Sequence, residues 1–384
     1  MYPGTIRALF LVLLGCSAVC AAQNSTKMSA NDTPIPRDVP TARLEFDKPI
    51  MVSNLTVGSG IAGVIACSDE GNILFLLDMS DPGTDANGHP LGHVSLVAVT
   101  PKGELIRYAG QSVPGYQRIS TPESYFGANG KVYALVYGEK QTLATEQPKH
   151  IQVPLVLVYD DKAMLTDVVP IDPTIDPISI GAFANGDLLV LSEDEFNQRT
   201  RLTILDSTGG ASRELRLFDS DAMAHEGASA SSVKGKLMYS PDTLAHFTEI
   251  HPYGQDLLLV PANTSGLPIV EINESGIVRS ITPQLPEKSI LSRWLDADDF
   301  TWHIYPGKVH GKPQTDMQSG KVSGVASIGS NQIDEINPND GSVTRTILIP
   351  PGGVLPACEH GGDYLFVTSH MHDGLLELVK GTPR

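Results

Sequence analysis

Short apolar and β-branched runs alternate with turn-forming residues along most of this chain. Leu188-Leu189-Val190-Leu191 follows the turn Asn185-Gly186-Asp187, and Leu202-Thr203-Ile204-Leu205 comes next, ending in Asp206 before Gly209. The same order returns after Gly254, with Leu257-Leu258-Leu259-Val260, then Ile269-Val270-Glu271-Ile272-Asn273, then Gly276-Ile277-Val278. Such runs predict short strands separated by turns. Apolar positions at helical spacing are scarce, so little helix is expected.

The turns define a repeat. Glycines 71, 130, 186, 254 and 362 fall between the first and second strands (A and B) of successive units, with gaps of 59, 56, 68 and 108 residues. The last gap has room for one degenerate unit containing 332–337 and 342–347. The count is then six units of four strands, A to D. Four-stranded sheets repeated radially make a β-propeller. A pair of sandwich domains is the other all-β arrangement, and six units of one kind fit it poorly. The sixth unit stops after a third strand at 375–379, while 42–47 reads like a fourth strand such as 213–218. The expected fold is therefore all-β, a six-bladed β-propeller whose N-terminal strand closes the last blade without exposed edges.

This architecture resembles the six-bladed propellers of the NHL and TolB-like kind over about residues 43–380. The resemblance implies that strand A of each blade lines a central channel. It also implies that the A–B turns lie on one face and the B–C and D–A loops on the other, where function is usually placed.

Composition narrows the setting. The 384 residues carry 44 acidic and 27 basic side chains, a net charge of 17 negative, which argues against a nucleic-acid partner. Residues 1–22 read as an export signal, with Arg7 before a short apolar run. Two processing routes compete. Leu13-Leu14-Gly15-Cys16 resembles a lipobox that would lipidate Cys16, and a cut after Ala21 or Ala22 would leave a soluble form. Residues 23–42 are a polar, Pro-containing lead-in to a single domain over 43–384. No stretch is long enough for a transmembrane span, so an extracytoplasmic monomer, free or lipid-anchored, is expected.

Signal removal leaves Cys67 and Cys358. Each precedes a turn glycine by four residues, so they hold matching places in neighbouring blades of a closed ring. They are a disulfide pair suited to an oxidising compartment, or two separate thiols. The turn face also carries Glu249, His251, Glu359 and His360, whose carboxylates and imidazoles suit a divalent metal if they converge. That metal is the one cofactor the residues suggest; solvated turn residues are the competing reading. On the loop face, His370, His372 and Asp373 are ligand candidates. Two stretches, 218–242 and 282–320, look like insertions on that face. The second holds Trp294, Phe300, Trp302, His303 and Tyr305, which either form a stacking surface for a ligand or belong to the core of the fifth blade.

No Gly-x-Ser-x-Gly elbow and no phosphate-binding loop occur. The first functional reading is a non-catalytic binding module that takes a protein, peptide or glycan on its loop face. The alternative is a metal-dependent, lactonase-like hydrolase using the channel, although the early Glu-Gly-Pro signature of such enzymes is missing. A quinone-dependent dehydrogenase would need a dense His, Arg and Lys site that the sequence does not assemble.

Overall fold

The second strand of each unit is apolar at consecutive positions, not alternate ones. Ile73, Leu74, Phe75, Leu76 and Leu77 are all buried, as are Leu188, Leu189, Val190 and Leu191. A strand buried on both sides needs a layer packed on each, which a stack of sheets around an axis supplies.

The structure is a computed structural model that describes residues 39–54, 60–79, 94–108, 113–141, 150–194, 199–215, 247–261, 269–281, 300–305, 308–313, 332–337, 342–348, 357–370 and 374–384. Among them there is no helix. The first strands are β1 (Thr41–Phe46) and β2 (Ile50–Asn54). The first four-stranded sheet is β3 (Gly60–Cys67), β4 (Ile73–Asp78), β5 (Val94–Val99) and β6 (Leu105–Arg107). The second has β7 (Arg118–Ile119) and β8 (Ser124–Ala128) side by side on β9 (Lys131–Gln141), then β10 (His150–Tyr159) and β11 (Leu165–Pro170). The third is β12 (Asp176–Ala182), β13 (Leu188–Asp194), β14 (Arg199–Leu205) and β15 (Ala211–Glu214). The fourth is β16 (Phe247–Tyr253), β17 (Asp256–Pro261), β18 (Ile269–Asn273) and β19 (Gly276–Ile281). All four are antiparallel meanders.

The remaining strands correct the expectation of six separate sheets. β20 (Phe300–Tyr305), β21 (Lys308–Pro313), β22 (Gln332–Ile336) and β23 (Val343–Leu348) belong to one nine-stranded sheet with β24 (Cys358–His360), β25 (Asp363–His370) and β26 (Leu375–Pro383). The join is β1. Thr41, Ala42 and Arg43 pair parallel with β23, while Leu44, Glu45 and Phe46 pair antiparallel with β26. β2 continues along β26 from Leu378 to Leu375. An N-terminal strand does complete the last meander, but it also hydrogen-bonds the meander before it. The described strands therefore form five sheets.

Successive sheets are joined by apolar faces. Leu74 and Leu96 pack with Ala134 and Val136 of the second sheet, while Phe75 and Val97 point the other way, to Leu365 and Leu376. Phe126 and Leu135 meet Ile180 and Val190, and Leu189 and Leu202 meet Leu257 and Val270. The innermost strands follow the same order, with β3 beside β8, β8 beside β12, β12 beside β16, and β24 returning to β3. This arrangement is an all-β propeller. A disulfide joins Cys67 of β3 to Cys358 of β24, with Cα atoms 5.3 Å apart.

The inner strands lie close because they are poor in side chain. A Cβ added to Gly127 would sit 2.2 Å from the Ser68 Cβ, and one on Gly181 would sit 2.5 Å from the Ile250 Cγ2. β8 also reaches β16, two sheets away, so the axis is narrow at this level. Gly127→Ala is expected to destabilise the fold by about 1–3 kcal/mol through overpacking against backbone-anchored atoms. Gly186→Ala, at φ +93° with nothing within 4 Å, should cost only its backbone strain. Urea midpoints of the two variants check the order.

Candidate functional site

On the loop face, the first strands lose regularity where they begin. β12 bulges at Ile178, between the pairs Pro177–Ser192 and Ser179–Leu191. β16 shifts register between Phe247 and Glu249, β3 between Ala62 and Ala66, and the first strand of the second sheet breaks into β7 and β8. Bulges re-aim side chains and are common beside binding sites. Ile178, a large apolar side chain 39% exposed at the bulge, is such a re-aimed residue.

Beside it stands a polar group built from two strands and the connector between β7 and β8. The Tyr137 hydroxyl of β9 donates to Asp176 Oδ1 at 2.9 Å. The Tyr137 amide donates to Ser120 Oγ at 2.8 Å, and the Ser120 amide returns a bond to the Tyr137 carbonyl. Glu123 is anchored by its own amide, which donates to the Leu135 carbonyl at 2.9 Å. Partial burial, with the Asp176 charge added, raises the Glu123 carboxyl above the usual carboxylate range. Burial also raises the Tyr137 hydroxyl, and its bond to Asp176 raises it further. The hydroxyl therefore stays a donor at neutral pH, and the Asp176 carboxylate lies close enough to act on that of Glu123. Such a pair suits a ligand that brings a hydrogen-bond donor or a positive charge. Outward from it, β9 and β10 rise as a long hairpin on which Lys140 lies over the Tyr116 ring, 4.4 Å from its centroid.

The turn face is built differently. Asp69 Oδ2 accepts the Asn129 amide at 2.7 Å, linking the A–B turns of the first and second sheets. Asn129 Nδ2 donates to the Phe183 carbonyl of the third at 3.4 Å. The His360 ring lies over Gly71, where a Cβ would come 2.4 Å from its Cγ. Tyr108, pushed up to about 12 by burial and the Glu70 carboxylate, lines a small cleft with Asp69, Lys131 and Asp160.

The residues singled out by sequence fall as follows. Glu249 and His251 lie on β16, and Glu359 and His360 on β24. Glu359 Oε1 accepts the Gly362 amide at 2.9 Å, a turn-closing bond. Among the described residues no three His, Cys, Asp or Glu side chains come together as a metal site. Phe300, Trp302, His303 and Tyr305 are not a loop insertion. They form β20, paired residue by residue with β21, because the fifth meander needs its first hairpin there. His370 is the last residue of β25, at the loop face. Trp294, His372, Asp373 and Cys16 lie outside the described residues, as do 1–38 and 218–242. Glu123, Tyr137, Asp176 and Ile178 carry no spacing signal, since Tyr137 and Asp176 are 39 positions apart and only the fold joins them.

No family model matches this chain, and no curated protein matches it. Among solved structures, it is similar to a protein of unknown function from Bacteroides caccae at 12% identity and a TM-score of 0.38, over 76% of this chain and 82% of that one. It is similar to a DUF4623 family protein from Bacteroides eggerthii at 11% identity and 0.38, over 90% and 77%. It is also similar to YCF48, solved bound to a D1 peptide, at 8% and 0.36, over 94% and 99%. None of these places the chain in a family.

A carboxyl raised in the folded state holds its proton where the unfolded chain has lost it. Stability from Glu123 is thus fully present below the ordinary glutamate value and falls as pH rises through the raised one. Asp176→Asn removes the neighbouring charge. Carbon-detected titration of Glu123 should show its midpoint move down in this variant, and that part of the pH-dependent loss should shrink.

Proposed function

We propose that this protein is an exported, non-catalytic binding propeller that takes a protein, peptide or glycan at the mouth on its loop face. What carries the reading is the contrast between the two ends of the inner strands. Near the turns they close on one another: Gly127 and Ser68, each three residues before a turn glycine, leave no room for a Cβ between them, and β8 touches both β12 and β16. At the loop face they bulge or break, and Ile178, Tyr137, Glu123 and Asp176 gather there. A narrow axis leaves little room for a substrate, whereas the mouth offers an apolar contact beside two acceptors, the usual make-up of a recognition site.

In this reading the nine-stranded sheet is two blades bridged by β1, giving six in all, in the NHL or TolB-like manner. The disulfide fits an oxidising compartment, which agrees with an export signal at 1–22 and with either a soluble form or a lipid anchor at Cys16. Among the described residues no helix is long and apolar enough to cross a membrane.

The test is a screen of the purified full chain against immobilised peptides and glycans, repeated with Asp176→Asn and Tyr137→Phe. At least one probe should bind, favouring those with a basic group, and lose about 10- to 100-fold in affinity when a charge-assisted bond of about 1.5–3 kcal/mol is removed. Binding that ignores both substitutions would contradict the site. Metal-dependent turnover of lactone or ester substrates would contradict the non-catalytic assignment.

A further inference from the structure

We propose that the Cys67–Cys358 disulfide is a redox-sensitive clasp whose state is passed to the turn face through a relay of turn contacts. The bond is unequal on its two sides. Cys358 is fully buried, inside the apolar cluster of Phe75, Leu365 and Leu376, whereas Cys67 is only partly buried at the edge of that cluster. Attack by an external thiolate is therefore assigned to the sulfur of Cys67, the less buried residue of the pair.

The reaction closes with a dithiol as the reductant. One thiolate of the dithiol attacks Cys67 Sγ, the S–S bond breaks, and Cys358 Sγ leaves and takes up a proton. The second thiol of the reagent then attacks the mixed disulfide and closes its own ring, releasing Cys67 as a thiol. Two electrons pass to the protein, and the reagent leaves as a disulfide.

The relay begins next to the bond. Cys67 is followed by the turn that holds Asp69 and Gly71, and Cys358 by the turn that holds His360. His360 lies on Gly71, so the two turns are pressed together above the disulfide. Asp69 in turn holds the Asn129 amide at 2.7 Å, and Asn129 Nδ2 reaches the Phe183 carbonyl at 3.4 Å. Asn129 keeps this double role at φ 55°, the left-handed turn conformation that Asn before Gly adopts readily. Releasing the two cysteines frees the first turn to move, and the hydrogen bond from the Asn129 amide to Asp69 is the next to break. Redox state in the first and last sheets is thereby read on the turn face of the second and third.

The experiment is amide-resolved hydrogen exchange on the full oxidised chain and on the same chain reduced with dithiothreitol, with reduction checked by mass. Exchange at the Asn129 amide should rise about tenfold on reduction, as expected for local opening. The Gly209 amide, held by the Asp206 carbonyl at 2.9 Å in a remote turn, should not change. An unchanged Asn129, an equal rise at both amides, or failure of native protein to be reduced would each overturn the proposal. The double variant Cys67→Ser/Cys358→Ser should reproduce the reduced pattern; if it does not fold, the reduced native chain decides alone. A monothiol should be trapped on Cys67, and trapping on Cys358 would reverse the assigned direction of attack.

Discussion

Closing a ring of sheets is the constraint on which the other contacts depend. Each of the first three sheets presents two apolar faces. The second and third are covered on both by their chain neighbours, but the first has a covered second face only if the last one returns to it. Ile73, Phe75 and Leu77 occupy that face, and Leu365, Val367, Leu376 and Leu378 cover it. Burying each such side chain is worth about 1.5–3 kcal/mol, so an open ring would forfeit an amount comparable with the entire margin of a typical domain, about 5–15 kcal/mol. Two devices secure the closure. One is covalent and lies at the inner strands, between Cys67 and Cys358. The other is hydrogen-bonded and lies at the rim, where β1 and β2 lie along β26 and Phe46 meets the Phe366 ring edge-on at 5.1 Å.

β1 does more than fill a missing place. By splitting its pairing between β23 and β26 it ties the last two meanders into one sheet. The same seam carries a buried polar group: Glu335 accepts from the Tyr364 hydroxyl at 2.9 Å and from Arg345 Nε at 3.1 Å. A cross-strand Glu271–Arg279 pair stands at the corresponding place in the fourth sheet. A carboxylate buried this deeply requires its donors. Rim and seam are therefore tied by paired strands and by buried polar groups that have their partners.

The strand order and closing segment are legible because they rest on local rules. Asn-Gly and other Gly-containing turns, apolar runs and their spacing all act within a few residues, and β4, β13 and β17 follow directly from them. The two-sided pairing of β1 is not legible, because nothing in 41–46 distinguishes a strand with one partner from one with two. Phe300 to Tyr305 read equally as an aromatic insertion and as a strand, since the turn glycine that marks the other units is missing there; pairing with β21 decides it. The mouth is the least legible part. Tyr137 and Asp176 are ordinary strand residues in sequence, and the bulge at Ile178 comes from sheet geometry. Of the histidines and carboxylates that stand out by residue type, Glu359 accepts from the Gly362 amide and His360 lies on Gly71.

Ring closure is tested most directly by proteolysing the folded, oxidised chain without reductant and mapping its cross-links by mass. One linked pair is expected, a peptide containing Cys67 joined to a peptide containing Cys358, which forms only if β3 and β24 are neighbours. Two free thiols in the folded protein, or Cys67 joined to any other cysteine, would contradict closure of the ring at these strands.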